Sequence, residues 1–141
     1  MSSSEEIARE LEIFYRHYIE VFNREDDRFL DCFAMSYASV SGGRGLTPVA
    51  NDADHRDGFR RSMIVLKERG WARSDVDRIK AWAIAENLGM ILSDVTRYKT
   101  DASILEKVRA LYMVRRDGDG WKIVTITEIK PPFLGPGEIP R

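Results

Sequence analysis

Hydrophobic residues in the first part of the chain recur at helical spacing. Between Ile7 and Phe22, apolar side chains return every three or four residues, a period that predicts an amphipathic helix. Ser3, followed three residues later by Glu6, matches a capping box that would begin this helix. The chain is therefore predicted to start with a helix that packs one face against the rest of the molecule.

Two further helices and one short strand are predicted before the hydrophobic period changes. The loop between the predicted strand and the last of these helices carries three glycines and a proline. Gly70 is placed for the left-handed turn that ends the last of these helices. The predicted elements are a short helix from Asp26 or Asp27 through Phe33, a strand over 37–41, a loop over 42–52 and a helix that Asp54 or Asp52 would cap and that runs to Arg69.

After Gly70 the hydrophobic period falls to two. Segments rich in Val, Ile, Trp, Tyr and Thr predict strands over 78–85, 88–99, 105–116 and 121–129. An Asp-Gly-Asp-Gly turn joins the last two strands, and Glu86-Asn87 could turn the first pair. The pattern predicts an α+β fold with three N-terminal helices packed on a curved, mainly antiparallel sheet. One domain would cover 1–130, and 131–141 would form an extended Pro/Gly-rich tail.

Composition narrows the classes of function. The 22 basic and 23 acidic residues leave a net charge of −1 over 141 residues, which argues against a nucleic-acid-binding protein. One cysteine and two histidines cannot build an ordinary structural zinc site, so no metal and no cofactor are predicted. No apolar run reaches the length of a membrane span, and the N-terminus lacks a signal-peptide pattern. We expect a cytoplasmic protein without membrane contact.

The order of elements resembles a known family. Supporting residues are Phe14-Tyr15 and Phe22-Asn23 in the first helix, Phe33-Ala34 before the short strand, and Arg115-Arg116-Asp117-Gly118-Asp119-Gly120-Trp121-Lys122-Ile123-Val124 at the last hairpin. Three helices, a strand between the second and third, and a four-strand meander are similar to the nuclear-transport-factor-2-like superfamily. That group includes ketosteroid isomerases and SnoaL-like polyketide cyclases. The resemblance covers about 7–128.

The resemblance implies a cystatin-like cone, in which a curved sheet wraps the first helix around an internal, ligand-sized cavity. It also implies a homodimer formed through the outer face of the sheet. Apolar residues at both parities, as in 90–92 and 110–114, are consistent with a sheet that is covered on both faces. The alternative cover for the outer face is the tail from Pro131 folding back.

Isomerase chemistry lacks its expected residues. Ketosteroid isomerases use a carboxylate base on the strand after the second helix, and an oxyanion hole made of a tyrosine and a protonated acid. Ser41 or a neighbour stands where the base would be, and no Asp or Glu occurs in 34–48. Tyr15 or Tyr18 could supply the tyrosine, but 110–114 contains no acid. We therefore do not expect chemistry of that type.

Polar residues on the second meander strand form the first candidate set. Asp94, Thr96 and Tyr98 are spaced by two and share one face of the strand. Aspartate is uncommon within strands. If Asp94 faces the cavity, its pKa should rise and it becomes the best acid or base in the chain. If it faces outward, it is a solvated edge or interface residue.

His55 is the second candidate. It lies on the same helical stripe as Phe59, near the expected cavity mouth. It could act as a general base by pairing with Asp94 or a ligand. Alternatively, three aspartates within three residues could hold it in a purely structural role.

Threonines on the last strand complete the candidates. Thr125 and Thr127 are predicted to share a face with Trp121 and Ile123, where they could hydrogen-bond a ligand or simply favour the strand. The residues expected to line the cavity, besides His55 and Asp94, are Tyr15, Tyr18, Tyr37, Phe59, Thr96, Tyr98, Thr125 and Thr127.

Three classes of function remain open. The favoured one is a SnoaL-like protein that binds a small molecule of unknown identity in an apolar cavity, because no complete catalytic set is present. The second is an isomerase, dehydratase or cyclase that acts on a small hydrophobic substrate, polyketide-like or steroid-like. The third is a protein-interaction module that uses the sheet face.

Overall fold

The computed structural model describes residues 3–118 and 120–130 as an α+β fold. A six-stranded sheet runs in the order β2-β1-β6-β5-β4-β3, and its neighbours are antiparallel except for the parallel pair β1 and β6. The predicted tail lies outside the described residues. The elements are α1 (Ser4–Asn23), a 3-10 helix (Asp27–Cys32), β1 (Phe33–Ser41), β2 (Gly45–Val49), α2 (Asp52–Glu68), β3 (Trp71–Ala85), β4 (Leu88–Lys99), β5 (Ile104–Asp117) and β6 (Gly120–Ile129).

Helix α1 begins and packs as its sequence pattern predicts. The Ser3 hydroxyl accepts a hydrogen bond from the backbone N–H of Glu6 at 3.1 Å, so the predicted cap is confirmed. The apolar stripe faces the sheet, where α1 lies against β3 and β4. Its buried members are Ile7, Leu11, Tyr15, Tyr18 and Val21.

Three predicted boundaries are wrong, and polar exposed segments explain two of them. The predicted loop 42–52 contains β2, which pairs with β1 as an exposed edge strand and tolerates Pro48 there. Strand β3 begins at Trp71, seven residues before the predicted start at 78. The prediction missed these residues because most of them are exposed. Strand β1 begins at Phe33, which shortens the second helix to a 3-10 helix. The residue that caps the N-terminus of α2 is Asn51, and not Asp52 or Asp54.

The two faces of the sheet have different neighbours. The helix-side face packs against α1 and carries Ile91, Ser93 and Val95 of β4, beside Tyr112 of β5. The outer face carries the alternate residues, including Met90, Leu92 and Asp94 of β4. Every candidate residue on β4 can therefore be assigned to a face by its parity.

A bulge in β6 changes which residues face the helices. Val114 pairs with Ile123, whereas the preceding Met113 pairs with Thr125, so Val124 is an extra residue on β6. Ile123 lies in the core, and Ile126 pairs with the core residue Tyr112. Thr125 and Thr127, which pair with residues of the outer face, therefore do not share a face with Ile123.

Aromatic rings fill most of the space between α1 and the sheet. The ring of Tyr18 lies 5.0 Å from that of Phe29, 5.8 Å from Phe33 and 5.7 Å from Tyr112. A pocket of about 50 Å³ remains beside Tyr15. A larger space lies to one side, against α2. Among the described residues, no helix is long and apolar enough to span a membrane.

Candidate functional site

A cleft of about 480 Å³ opens between α2, the 3-10 helix, β1 and β2. We call it the aromatic cleft because six Phe and Tyr rings line it. Phe29 of the 3-10 helix stacks on Phe59 of α2, with ring centroids 4.6 Å apart. Phe33 and Tyr37 of β1 lie 4.5 Å apart, and the Phe33 ring is 5.2 Å from that of Phe29. The cleft therefore offers broad apolar surfaces, of the kind that flat hydrophobic molecules contact.

His55 is the buried polar residue among these rings. Its side chain lies in the first turn of α2, only 4% of the residue is exposed, and its ring is 4.6 Å from Phe33 and 4.8 Å from Tyr37. Its Nδ1 atom is shielded from solvent and has no hydrogen-bond partner among the described residues. Burial lowers the pKa of His55, with a further contribution from Arg56 that Asp52 opposes. The imidazole is therefore neutral near pH 7.

A cluster of hydroxyl groups lies behind the cleft, around the pocket of about 50 Å³, which we call the tyrosine pocket. The Ser93 hydroxyl donates to the Tyr15 hydroxyl at 2.7 Å, and the hydroxyls of Tyr15 and Tyr112 are 3.4 Å apart. Burial raises the pKa of both tyrosines well above its usual value, and it also raises the pKa of Tyr18. These groups therefore stay uncharged and can act as hydrogen-bond donors.

Arg97 lines both spaces. It lies on the helix-side face of β4, and its side chain is 25% exposed. Its Nη1 donates to Glu106 at 2.6 Å. Glu106 also accepts two hydrogen bonds from Arg69, at 3.2 and 2.9 Å, and these bonds hold its pKa below the usual value. A guanidinium thus stands where the aromatic cleft meets the tyrosine pocket.

The structure brings half of the predicted site residues together. Tyr18, Tyr37, His55 and Phe59 all line the aromatic cleft. Tyr15 lines the tyrosine pocket behind it. The α1, β1 and α2 candidates therefore converge on one side of the sheet.

The remaining candidates lie on the outer face, which corrects their assignment to the cavity. On β4, the parity of Asp94, Thr96 and Tyr98 is opposite to that of Ser93 and Arg97. On β6, the bulge turns Thr125 and Thr127 outward. Each of the three β4 side chains has a partner on its own face. Asp94 accepts from Arg109 at 2.6 Å, Thr96 donates to Asp77, and Tyr98 lies under the guanidinium of Arg73 at 4.4 Å.

The possible pairing of His55 with Asp94 is therefore not formed. The two residues lie on opposite sides of the sheet, and Asp94 is bound to Arg109. No cluster of His, Cys, Asp and Glu suited to a metal ion occurs within 3–118 and 120–130. His55 instead lies against the rings of Phe33 and Tyr37.

Sequence reasoning missed three polar residues of this side of the molecule. Ser93 and Arg97 share the parity of the apolar Ile91 and Val95, and Tyr112 shares that of Ala110 and Val114. The sequence does not single these residues out, because odd and even positions of β4 and β5 both carry apolar side chains and the unusual aspartate lies on the other face.

Comparisons with known proteins agree with this architecture. The family model described as NTF2-like protein (DUF6841) matches residues 6–131. No curated protein matches the chain in sequence. An NTF2-like protein of unknown function from Pseudomonas putida KT2440 superposes with a TM-score of 0.72 at 12% identity, covering 92% of this chain and 90% of that one.

Two other solved structures show the same fold. An NTF2-like protein with a cystatin-like fold from Novosphingobium aromaticivorans has a TM-score of 0.68 at 11% identity, over 89% of this chain and 82% of that one. A candidate dehydratase of the NTF2-like family from Streptomyces avermitilis has a TM-score of 0.63 at 11% identity, over 86% and 93%. At such identities the likeness concerns the fold alone. Because the family model covers well over half of the sequence, the chain belongs to the NTF2-like family DUF6841.

Proposed function

We propose that the protein binds a small, largely apolar molecule in the aromatic cleft. The observation that carries this proposal is the combination of an aromatic lining with a buried imidazole nitrogen, unpartnered among the described residues, around one space of about 480 Å³. Ligand sites in proteins typically measure about 300–1,000 Å³ and combine apolar walls with a few polar groups. The cleft has both properties.

The energetics of the free protein support a binding role. A ligand that fills the cleft gains about 25 cal/mol per Å² of apolar surface removed from water, and most of that surface is its own, because Phe29, Phe33 and Phe59 are already buried. A buried polar atom without a hydrogen bond costs about 1–3 kcal/mol. A ligand that lets His55 turn toward a polar group recovers part of that cost. The free energy of the cleft is therefore expected to be lower with a ligand bound than without one.

The same proposal includes the shape predicted from the family resemblance. We propose that the sheet and α1 form a cone. Aromatic rings fill most of its interior, so the space for a ligand lies toward α2. Tyr18, Phe22 and Arg97 border both the small pocket and the aromatic cleft, which supports this arrangement. A bound molecule would then reach these three residues from the α2 side.

Native mass spectrometry of freshly purified protein, compared with its denatured mass, tests for a retained ligand. Calorimetric titration with 2-naphthamide, a flat neutral probe, tests the cleft directly. We expect saturable binding that weakens in Phe59→Leu, which removes a wall of the cleft, and persists in the matched variant Phe14→Leu on α1, outside it. Absence of 2-naphthamide binding in the wild-type protein would contradict the proposal.

An enzymatic role is the second candidate, and the neutral imidazole of His55 favours it. A histidine whose pKa is lowered by burial can accept a proton from a bound substrate near neutral pH. Removal of a proton from a small hydrophobic substrate would correspond to the isomerase, dehydratase or cyclase classes. The test is a turnover assay in His55→Gln. Loss of turnover with binding intact would favour catalysis, and unchanged turnover would exclude His55 as the base.

A homodimer through the outer face belongs to this proposal as well. Trp82, Met90, Met113 and Thr125 follow one another across four strands in register, which gives this face an apolar row. Sedimentation velocity at low micromolar concentration should show a dimer that Met113→Asp dissociates. A wild-type monomer would exclude the dimer and leave the tail, or a different protein as in an interaction module, as the cover for this row.

A further inference from the structure

We propose that the ligand of the aromatic cleft is an apolar carboxylic acid whose carboxylate binds Arg97. This inference rests on the proposed function of the cleft and adds the chemical class of the ligand. It follows from the placement and the hydrogen bonding of one guanidinium. The apolar part of the acid would lie in the cleft against its aromatic lining, which includes Phe33, Tyr37 and Phe59.

Arg97 occupies the inner end of the cleft. Its neighbours along the helix-side face of β4, Ser93 and Val95, line the tyrosine pocket, and Arg97 lines that pocket and the cleft alike. Three-quarters of its side chain is removed from solvent. A charge at this depth is only partly hydrated, so an anion that reaches it replaces few strong hydrogen bonds to water.

The ion pairs around Arg97 contain one more positive charge than negative charge. Glu106 is shared between two guanidiniums, because it accepts two hydrogen bonds from Arg69 and one from Arg97. One carboxylate against two arginines gives this triad a net charge of +1. Arginine carries five N–H donors, and the structure gives Arg97 one partner among the described residues. The remaining donors are therefore available to a carboxylate in the cleft.

The other charges around the cleft favour the same sign of ligand. Arg61 and Arg97 are the basic residues of its lining, and Asp54 is the acidic one. Asp54 is held at the first turn of α2, where it accepts a hydrogen bond from Asn51. His55 is neutral near pH 7 because burial lowers its pKa. An acid therefore meets a net positive lining, and planar pairing with a guanidinium would fix its orientation.

A matched pair of probes tests the inference. Isothermal titration at pH 8 compares 2-naphthoate with 2-naphthamide, which have similar shape and differ in charge. We expect the wild-type protein to bind 2-naphthoate at least about fivefold more tightly, as one added charge-assisted hydrogen bond predicts. In Arg97→Gln this preference should disappear, while binding of 2-naphthamide remains. Arg78→Gln is the matched control, because it removes a guanidinium from the outer face of the sheet and does not line the cleft, so the preference should persist in it.

Each outcome decides a different point. Equal affinity of the two probes in the wild-type protein would overturn the acid and leave the binding function standing. A preference that survives in Arg97→Gln would overturn the role of Arg97. Failure of both probes to bind would overturn the binding function itself.

A measurement on the wild-type protein covers the case in which Arg97→Gln does not fold. The carboxyl group of bound 2-naphthoate, labelled with ¹³C, should titrate at a lower pH than the free acid, because a guanidinium stabilises the ionised form. A bound probe that titrates at a higher pH than the free acid would show an apolar environment without Arg97, and the inference would fall.

Discussion

Replacing Gly89 with alanine tests how α1 is seated on the sheet. A Cβ atom at Gly89 would lie 2.4 Å from Cδ1 of Leu11, and 3.2 Å from both its Cδ2 and the backbone oxygen of Trp82. Leu11 is fully buried on α1, so its side chain cannot swing into solvent to make room. We expect the extra methyl group to push α1 away from β4.

The size of the effect follows from two opposing contributions. Overpacking a buried site costs about 1–3 kcal/mol. Removing a glycine from the interior of a strand gains about 0.5–1 kcal/mol. Gly89→Ala should therefore lower the free energy of unfolding by about 1–2 kcal/mol. In a Leu11→Ala background, which itself costs about 2–5 kcal/mol, the same methyl group enters a vacated space and should be neutral or stabilising.

Urea unfolding, followed by tryptophan fluorescence and circular dichroism, measures this double-mutant cycle. Gly43→Ala is the control, because a Cβ there meets nothing within 4 Å, and we expect a change of at most about 0.5 kcal/mol. If Gly89→Ala had the same effect with and without Leu11, the close approach of α1 and β4 would not be the cause, and the reasoning would fail.

Four further predictions concern the two pockets and the outer face. His55→Phe should raise the free energy of unfolding by about 1 kcal/mol, because it removes a buried nitrogen without a partner; a loss of stability would contradict this. The pKa of His55 is lowered by burial, so the unfolded chain binds this proton more readily, and stability present above pH 6.5 should fall as the pH drops through the lowered folded-state pKa. His55→Phe should remove that part of the pH dependence and His17→Phe should not, as urea midpoints at several pH values would show. Tyr15→Phe should cost about 1 kcal/mol, since it leaves the buried Ser93 hydroxyl without its acceptor; an unchanged urea midpoint would argue against that hydrogen bond. Asp94→Asn should leave the affinity for 2-naphthoate unchanged by calorimetry, and a weakened affinity would mean that Asp94 acts on the cleft.

Local periodicity explains why α1 and the last hairpins could be predicted from the sequence. The stripe of α1 and its Ser3 cap are set by residues within one turn of each other. Strand β2 could not be recognised in the same way, because both of its faces are exposed and it carries Pro48. The start of β3 is hard to recognise for a different reason, because exposed residues such as Arg73 and Asp75 separate its buried positions Trp71 and Ser74. Exposed strands depend on pairing with distant residues, and such pairing leaves little trace in the sequence.

The two faces of the sheet were the harder problem for the candidate site. Alternation states which residues share a face, and it does not state which face meets the helices. On β4, the choice of Asp94 over Arg97 put the predicted polar group on the outer face. On β6, the extra residue Val124 places Ile123 and Thr125 on opposite faces, although they are two positions apart. A bulge of one residue leaves no clear mark on the local hydrophobic pattern, yet it moves every later side chain to the other face.

The position of the aromatic cleft follows from how the two long helices pack. Helix α1 fills the space over β3 and β4, and its Tyr15 and Tyr18 close most of the interior against Tyr112. Helix α2 touches the sheet chiefly at β3, so its N-terminal half stands away from β1 and β2. The space between them is lined in large part by aromatic rings and by His55, which packs against Tyr37. The Tyr37 ring contacts Phe33 and His55, so a change that shortens it should enlarge the cleft with little effect on α1. Gly89→Ala should instead weaken the fold by displacing α1, whose Tyr18 and Phe22 also line the cleft.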